Sequence, residues 1–150
     1  MQFSKIKEKL SPFLIFNKNT LRAFEEREES VNAGIKYWMK NGKIVQLKKG
    51  LYMLKERWEK ENQKDGYLEY IANKLLEPSC LSFEYVLAKY QILSEPVLAL
   101  TSATTKSSRE FSNALGTFRY YTLAPNLFRG YEAKEENGFP ILEVSKAKAD

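Results

Sequence analysis

The chain has 150 residues, of which 43% are apolar and 13% aromatic, enough for a packed core in one domain or two small ones. It contains no histidine, which excludes Ser-His and Cys-His catalytic pairs and histidine metal sites, and its single cysteine, Cys80, excludes an intramolecular disulfide, a zinc finger and a CxxC motif. The net charge of +5 is uneven: residues 1–66 hold 15 Lys/Arg against 9 Asp/Glu, whereas residues 67–150 hold 9 against 10, so an anionic partner is expected for the first half only.

The early charges Lys5, Lys7, Glu8 and Lys9 do not fit a signal peptide, and no apolar run approaches the roughly 18 residues that span a bilayer. Together with the lone cysteine, these features predict a cytoplasmic chain without a membrane partner.

Phe3, Ile6 and Leu10 recur at i, i+3 and i+7, predicting a short amphipathic helix that Ser11-Pro12 ends. Phe13-Leu14-Ile15-Phe16 is an apolar run of strand length. Asn17 is read as the N-cap of a second helix turning Leu21 and Phe24 inward, followed by the charged stretch 25–29. Ser30 is read as a further N-cap. Behind it, Val31, Ile35, Trp38 and Met39 form one helical face, and Asn41-Gly42 closes that helix. The other face carries Asn32, Lys36 and Lys40, with Ala33 and Tyr37 beside them. Next come a strand over 43–47, the turn Lys48-Lys49-Gly50 and a strand over 51–54, a hairpin whose glycine suits a left-handed final loop position.

Helix, strand, helix, helix, hairpin is the element order of a winged helix-turn-helix, in which the third helix enters the major groove and the hairpin lies along phosphates. Lysines at the hairpin tip can pair with phosphate and release counterions, and Asn and Lys on the helix can reach base edges. Either feature alone reads best as a solvated surface. Together, in this order and in the basic half, they predict DNA binding. Ser30, Asn32, Ala33, Lys36, Tyr37 and Lys40 are assigned to the recognition helix, and Lys43, Lys48 and Lys49 to phosphates. The glutamates at 25–29 run against this reading and favour an alternative, a protein-interaction module with a winged helix that does not bind DNA.

Residues 55–66 are polar and charged, marking a boundary between a winged helix-turn-helix over 1–56 and a small mixed α+β domain over 66–150. In the latter, Leu68, Ile71, Leu75 and Leu76 make a helical stripe stopped near Glu77-Pro78. Ser82 is placed as the cap of a helix with Val86 and Leu87, and strands are predicted over 97–101 and 116–123. The hydroxyl-rich run from Thr101 to Arg109 lacks the glycines of a phosphate-binding loop and reads as a polar connection. Ser4/Lys7 and Ser145/Lys148 match S-x-x-K without companion motifs, and Cys80 reads as a small buried apolar residue. No catalytic constellation or cofactor motif emerges, so a non-enzymatic protein is expected, with nucleotide chemistry at Lys106 ranked well below.

Several segments resemble the AbiEi-type antitoxins of abortive-infection and type IV toxin–antitoxin systems. The first is GKIVQLKKGLYML over 42–54. The others are Ile71 to Leu75 with Glu77 to Glu84, Leu100 to Lys106 with Arg109 to Phe111, and Gly116 to Tyr120. The resemblance spans roughly residues 5–150. It implies an N-terminal winged helix that represses its own operon by binding operator DNA. It also implies a C-terminal domain that counteracts a nucleotidyltransferase-like toxin, with no direct contact required. Residues 141–150 resemble the start of a segment that continues into further helices in that family, which implies a shortened member or a fragment.

Overall fold

The computed structural model describes residues 3–24, 27–82, 85–86, 99–124, 131–136 and 139–144. It is a mixed α+β structure with two sheets, and it divides into two compact units after Asn62.

The first unit begins with α1 (Phe3–Leu10), which buries Ile6 and Leu10. The helix ends where Ser11 N–H bonds to the Lys7 carbonyl and Phe13 N–H to that of Leu10. Phe13 therefore belongs to the exit turn and is 41% exposed, so the expected strand over Phe13–Phe16 shrinks to β1 (Phe16–Asn17). Asn17 caps α2 (Lys18–Arg22) as expected, and Thr20 completes a reciprocal capping box. Buried Leu21 lies within α2, while Phe24 lies beyond it, packed against the core.

The third helix, α3 (Glu28–Lys40), starts earlier than the cap expected at Ser30. Arg27, in extended conformation, is the N-cap without a capping hydrogen bond from its side chain, and its carbonyl accepts from Val31 N–H at 3.1 Å. Glu28 and Glu29 then occupy the first turn, where negative charge complements the helix dipole. The end is a complete Schellman motif: Lys43 N–H bonds to Trp38 O at 2.8 Å and Gly42 N–H to Met39 O at 3.2 Å. Gly42 sits at φ +69°, a conformation that L side chains rarely adopt.

β2 (Ile44–Lys48) and β3 (Leu51–Leu54) form the hairpin, and the three strands pair antiparallel in the order β1-β3-β2. The register slips between Gln46 and Lys48, so Leu47 is an extra residue on β2, and it buries its side chain. α4 (Lys55–Lys60) follows directly and packs on β2 and β3. One core joins α1 to β3, built from Ile6, Leu10, Phe16, Leu21, Val31, Ile35, Trp38, Ile44, Tyr52 and Leu54. Each large apolar side chain there contributes roughly 1.5–3 kcal/mol by leaving water.

The second unit opens with α5 (Lys64–Leu75), which starts four residues ahead of Leu68 and buries Tyr67, Ile71, Ala72 and Leu75. Its sheet comprises β4 (Ser79–Leu81), β5 (Leu100–Thr104), β6 (Arg109–Asn113), β7 (Gly116–Thr122), β8 (Tyr131–Glu136) and β9 (Phe139–Val144), in the order β6-β7-β5-β4-β9-β8. The β5–β7 and β4–β9 pairs are parallel and the rest antiparallel. Two long-range contacts fix α5 to the sheet. The Tyr120 hydroxyl donates to Ala72 O, and the Asn73 amide both donates to and accepts from the backbone of Leu142, at 3.1 and 2.7 Å. Leu100 and Thr101 lie in a strand as expected, but Ser102 to Thr104, expected in a connection, extend that strand, β5, and are buried. Residues 97–98 and most of the helix expected after Ser82 lie outside the described residues. Among the described residues no helix is long and apolar enough to cross a membrane.

Candidate nucleic-acid interface

The helical period that buries Val31, Ile35 and Trp38 turns the opposite side of α3 to solvent. Asn32, Ala33, Lys36, Tyr37 and Lys40 are all exposed there, in two i, i+4 rows. Tyr37 is 65% exposed, unusual for a large aromatic ring, and neither core nor hairpin covers it. Its carbonyl accepts from the Asn41 side chain at 2.8 Å, which ties the helix end beneath this row. Ser30 is half-buried in the first turn of the helix, just ahead of Asn32.

At the hairpin tip, Lys49 is exposed and Lys48 half-buried, and Gly50 at φ +85° takes the left-handed position. Lys43 differs from the other lysines assigned to phosphate. Its ammonium lies 5.9 Å from the centroid of the Phe3 ring, which meets Trp38 edge-on at 5.5 Å. Lys43 thereby braces the C-terminal end of α3 against α1.

The lysines of this unit fall into two electrostatic classes. On α1 and α4, Lys7 and Lys60 both grip Glu56, Lys55 lies 3.9 Å from Glu59, and Arg57 pairs with Glu61 at 2.7 Å. Hydrogen bonds from Lys60 first and Lys7 second hold the Glu56 carboxyl down at about 2. By contrast, Lys36, Lys40 and Lys49 have no carboxylate partner among the described residues. A cation already neutralised by a carboxylate gains little from a phosphate. The unpaired ones release counterions when they meet it.

Opposing charge is present too. Glu28 and Glu29 are exposed at the N-terminal end of the same helix. The residues that the sequence did not single out are Glu56, which needs a partner 49 positions earlier in the chain, and Arg27, whose capping role leaves no side-chain signature.

Nothing comparable gathers among the described residues of the second unit. Cys80 is buried, and burial pushes its thiol up to about 11, so it is a poor nucleophile. Among the described residues no group of three His, Cys, Asp or Glu converges on a metal-sized site. Lys106, Ser107, Ser108 and Arg109 are exposed, but the hydroxyls and the guanidinium bond one another and nearby backbone: Arg109 donates to Ser107, and Ser108 contacts Thr122. No family model, curated protein or solved structure matches the chain.

Proposed function

We propose that the first unit is a winged helix-turn-helix that binds double-stranded DNA, with α3 as recognition helix and the β2–β3 hairpin as wing. The observation that carries this reading is the solvent-facing row Asn32, Ala33, Lys36, Tyr37 and Lys40 on a helix whose other face is locked into the core. The β1-β3-β2 sheet and the unpaired Lys49 at the hairpin tip support it. Asn32 and Lys36 offer the donors and acceptors that read base edges, and the apolar edges of Ala33 and Tyr37 suit thymine methyl groups. Lys40, Lys43, Lys48 and Lys49 hold the backbone, with Lys43 sharing its charge with Phe3.

The biological role follows from the resemblance to AbiEi-type antitoxins over both units. The chain is a non-catalytic cytoplasmic repressor of its own operon and the antitoxin of a nucleotidyltransferase-like toxin. Fluorescence anisotropy against the DNA upstream of its own gene tests the first half. Asn32→Ala or Lys36→Ala is expected to reduce discrimination between that DNA and a scrambled duplex by roughly 1–3 kcal/mol per lost base contact. Equal losses on both duplexes remove the base-reading role. Co-expression with an adjacent nucleotidyltransferase-like gene tests the second half, and failure to restore growth excludes it.

Exposed Glu28 and Glu29 favour a second reading, in which α3 presents a mixed-charge face to a protein partner. Glu28→Gln with Glu29→Gln separates the two: tighter DNA binding supports the recognition helix. If neither the natural chain nor this variant binds DNA at low salt, the protein-docking reading stands.

A further inference from the structure

A sheet strand with an unpaired side is a template for another strand, and proteins blunt such edges by shortening them, bulging them or charging them. Among the described residues, three of the four edge strands are blunted. β1 has two residues, β2 carries the Leu47 bulge, and β8 has the sequence YEAKEE, with four charges in six residues. β6 is different. Among the described residues it ends the second sheet, runs five residues in unbroken register with β7, and contains no proline or bulge, while its two charges, Arg109 and Glu110, are of opposite sign.

The hairpin geometry sets which backbone groups are open. β6 and β7 are joined by the two-residue loop Ala114-Leu115, so the closing pair Asn113↔Gly116 is hydrogen-bonded. Alternation then makes Phe111↔Phe118 and Arg109↔Tyr120 the other hydrogen-bonded pairs. The N–H and C=O groups of Glu110 and Ser112 therefore point away from β7, and both residues are exposed.

We propose that this edge pairs with the same edge of a second copy of the chain, antiparallel and centred on Phe111. Only a few registers bring outward groups together. Placing Glu110 opposite Glu110 of the second copy sets like charges side by side. Placing Ser112 opposite Ser112 runs the strand into the hairpin loop. The register centred on Phe111 avoids both faults: Glu110 lies opposite Ser112, Arg109 opposite Asn113, and the two Phe111 rings meet at a non-hydrogen-bonded position, where side chains are closest. Each Glu110 keeps its own Arg119, 3.3 Å away across the hairpin. Phe111 is half-buried, with its ring edge-on to Tyr120 at 5.8 Å, and the second ring extends that aromatic pair. The partner is thus a second copy, chosen by self-complementarity of one strand.

Sedimentation of the full chain without DNA tests this, independently of the DNA-binding reading. A strand-sized interface is weak, so the expected result is a concentration-dependent dimer at about 100 μM. Ser112→Pro removes an outward N–H that the hairpin does not use, and is expected to leave a folded monomer. In a Cys80→Ala background, Phe111→Cys places two thiols across a pair with Cα atoms about 4.5 Å apart and is expected to form a disulfide-linked dimer on mild oxidation. Ser112→Cys, with Cα atoms roughly 8–9 Å apart, is expected not to. A natural chain that stays monomeric overturns the proposal. So does a dimer that survives Ser112→Pro, or cross-linking that ignores position in folded variants. If Phe111→Cys fails to fold, the Ser112→Pro comparison decides alone.

Discussion

Replacing Lys40 and Lys49 together by alanine separates a phosphate-binding face from an ordinary solvated one. Both side chains are exposed and, among the described residues, without a carboxylate partner, so their removal should change folding stability by no more than about 0.5 kcal/mol. Each lysine on a phosphate contributes about 0.9 to the slope of log affinity against log salt, so losing two lowers the slope by about 1.8. At roughly 0.1 M salt the same slope corresponds to nearly one decade per lysine, about 1.2 kcal/mol each and roughly 60-fold in all.

The control is Lys7→Ala with Lys60→Ala, which removes the same type of charge from the same unit. Those lysines already hold Glu56, and their loss frees that carboxylate, so the net charge of the cluster falls without removing an available phosphate ligand. The expected slope change is below about 0.5. Anisotropy on an arbitrary duplex over roughly 50–200 mM salt measures both variants without knowledge of the operator. Equal slope losses in the two variants, or none in the first, refute the assignment of α3 and the hairpin tip to DNA.

Gly42→Ala is expected to cost about 1–2 kcal/mol in urea unfolding: the added Cβ meets only Lys55 Nζ, at 3.8 Å, so the cost is the left-handed backbone itself. A loss below about 0.3 kcal/mol would mean that the helix ends differently. Asn73→Leu removes both bonds to Leu142 and should destabilise the second unit by about 2–3 kcal/mol, seen in thermal unfolding, because a partly buried backbone N–H and C=O lose their partners. Glu56 titrates low, so its ion pairs contribute stability fully above an ordinary carboxyl value of 4.5 and lose it as pH falls through about 2. Carboxyl NMR should show Glu56 ionised at pH 3.5, and Lys60→Ala should raise its titration towards the ordinary range. A midpoint near 4.5 in the natural chain would exclude the clamp.

The legible parts of this structure were those set by local chemistry. The buried stripe of α3 follows from Val31, Ile35 and Trp38 at helical spacing, and its end follows from Asn41-Gly42, since few residues besides glycine take a positive φ cheaply. The exposed row of α3 is the complement of that stripe and was legible with it. The start of α3 was not, because Ser30 has a capping side chain and Arg27 has none; the first turn forms with only its backbone and two glutamates to mark it. Phe13 to Phe16 carried apolarity but no information on pairing, and of that run only Phe16, joined by Asn17, pairs with β3. The parallel partners of β4 and β5 lie far along the chain, and nothing in the residues between them encodes which strand closes on which.

Net charge was the weakest guide to the site, and the structure explains why. The excess of cations in residues 1–66 suggests one basic surface, yet Glu56 and Glu59 of α4 and Glu61 just after it are spent on Lys7, Lys55, Arg57 and Lys60. That neutralised cluster explains the composition without adding to a field that an anion would feel. Glu28 and Glu29 act at the start of α3, where they complement the helix dipole, while Lys36 and Lys40 stand two or more turns further on. At physiological salt the screening length is about 8 Å, and two helical turns rise about 11 Å, so the lysines are felt at their own end of the helix. The C-terminal half of α3 is therefore the positive end, and under the proposed reading it is the end that a phosphate backbone meets, past the acidic first turn.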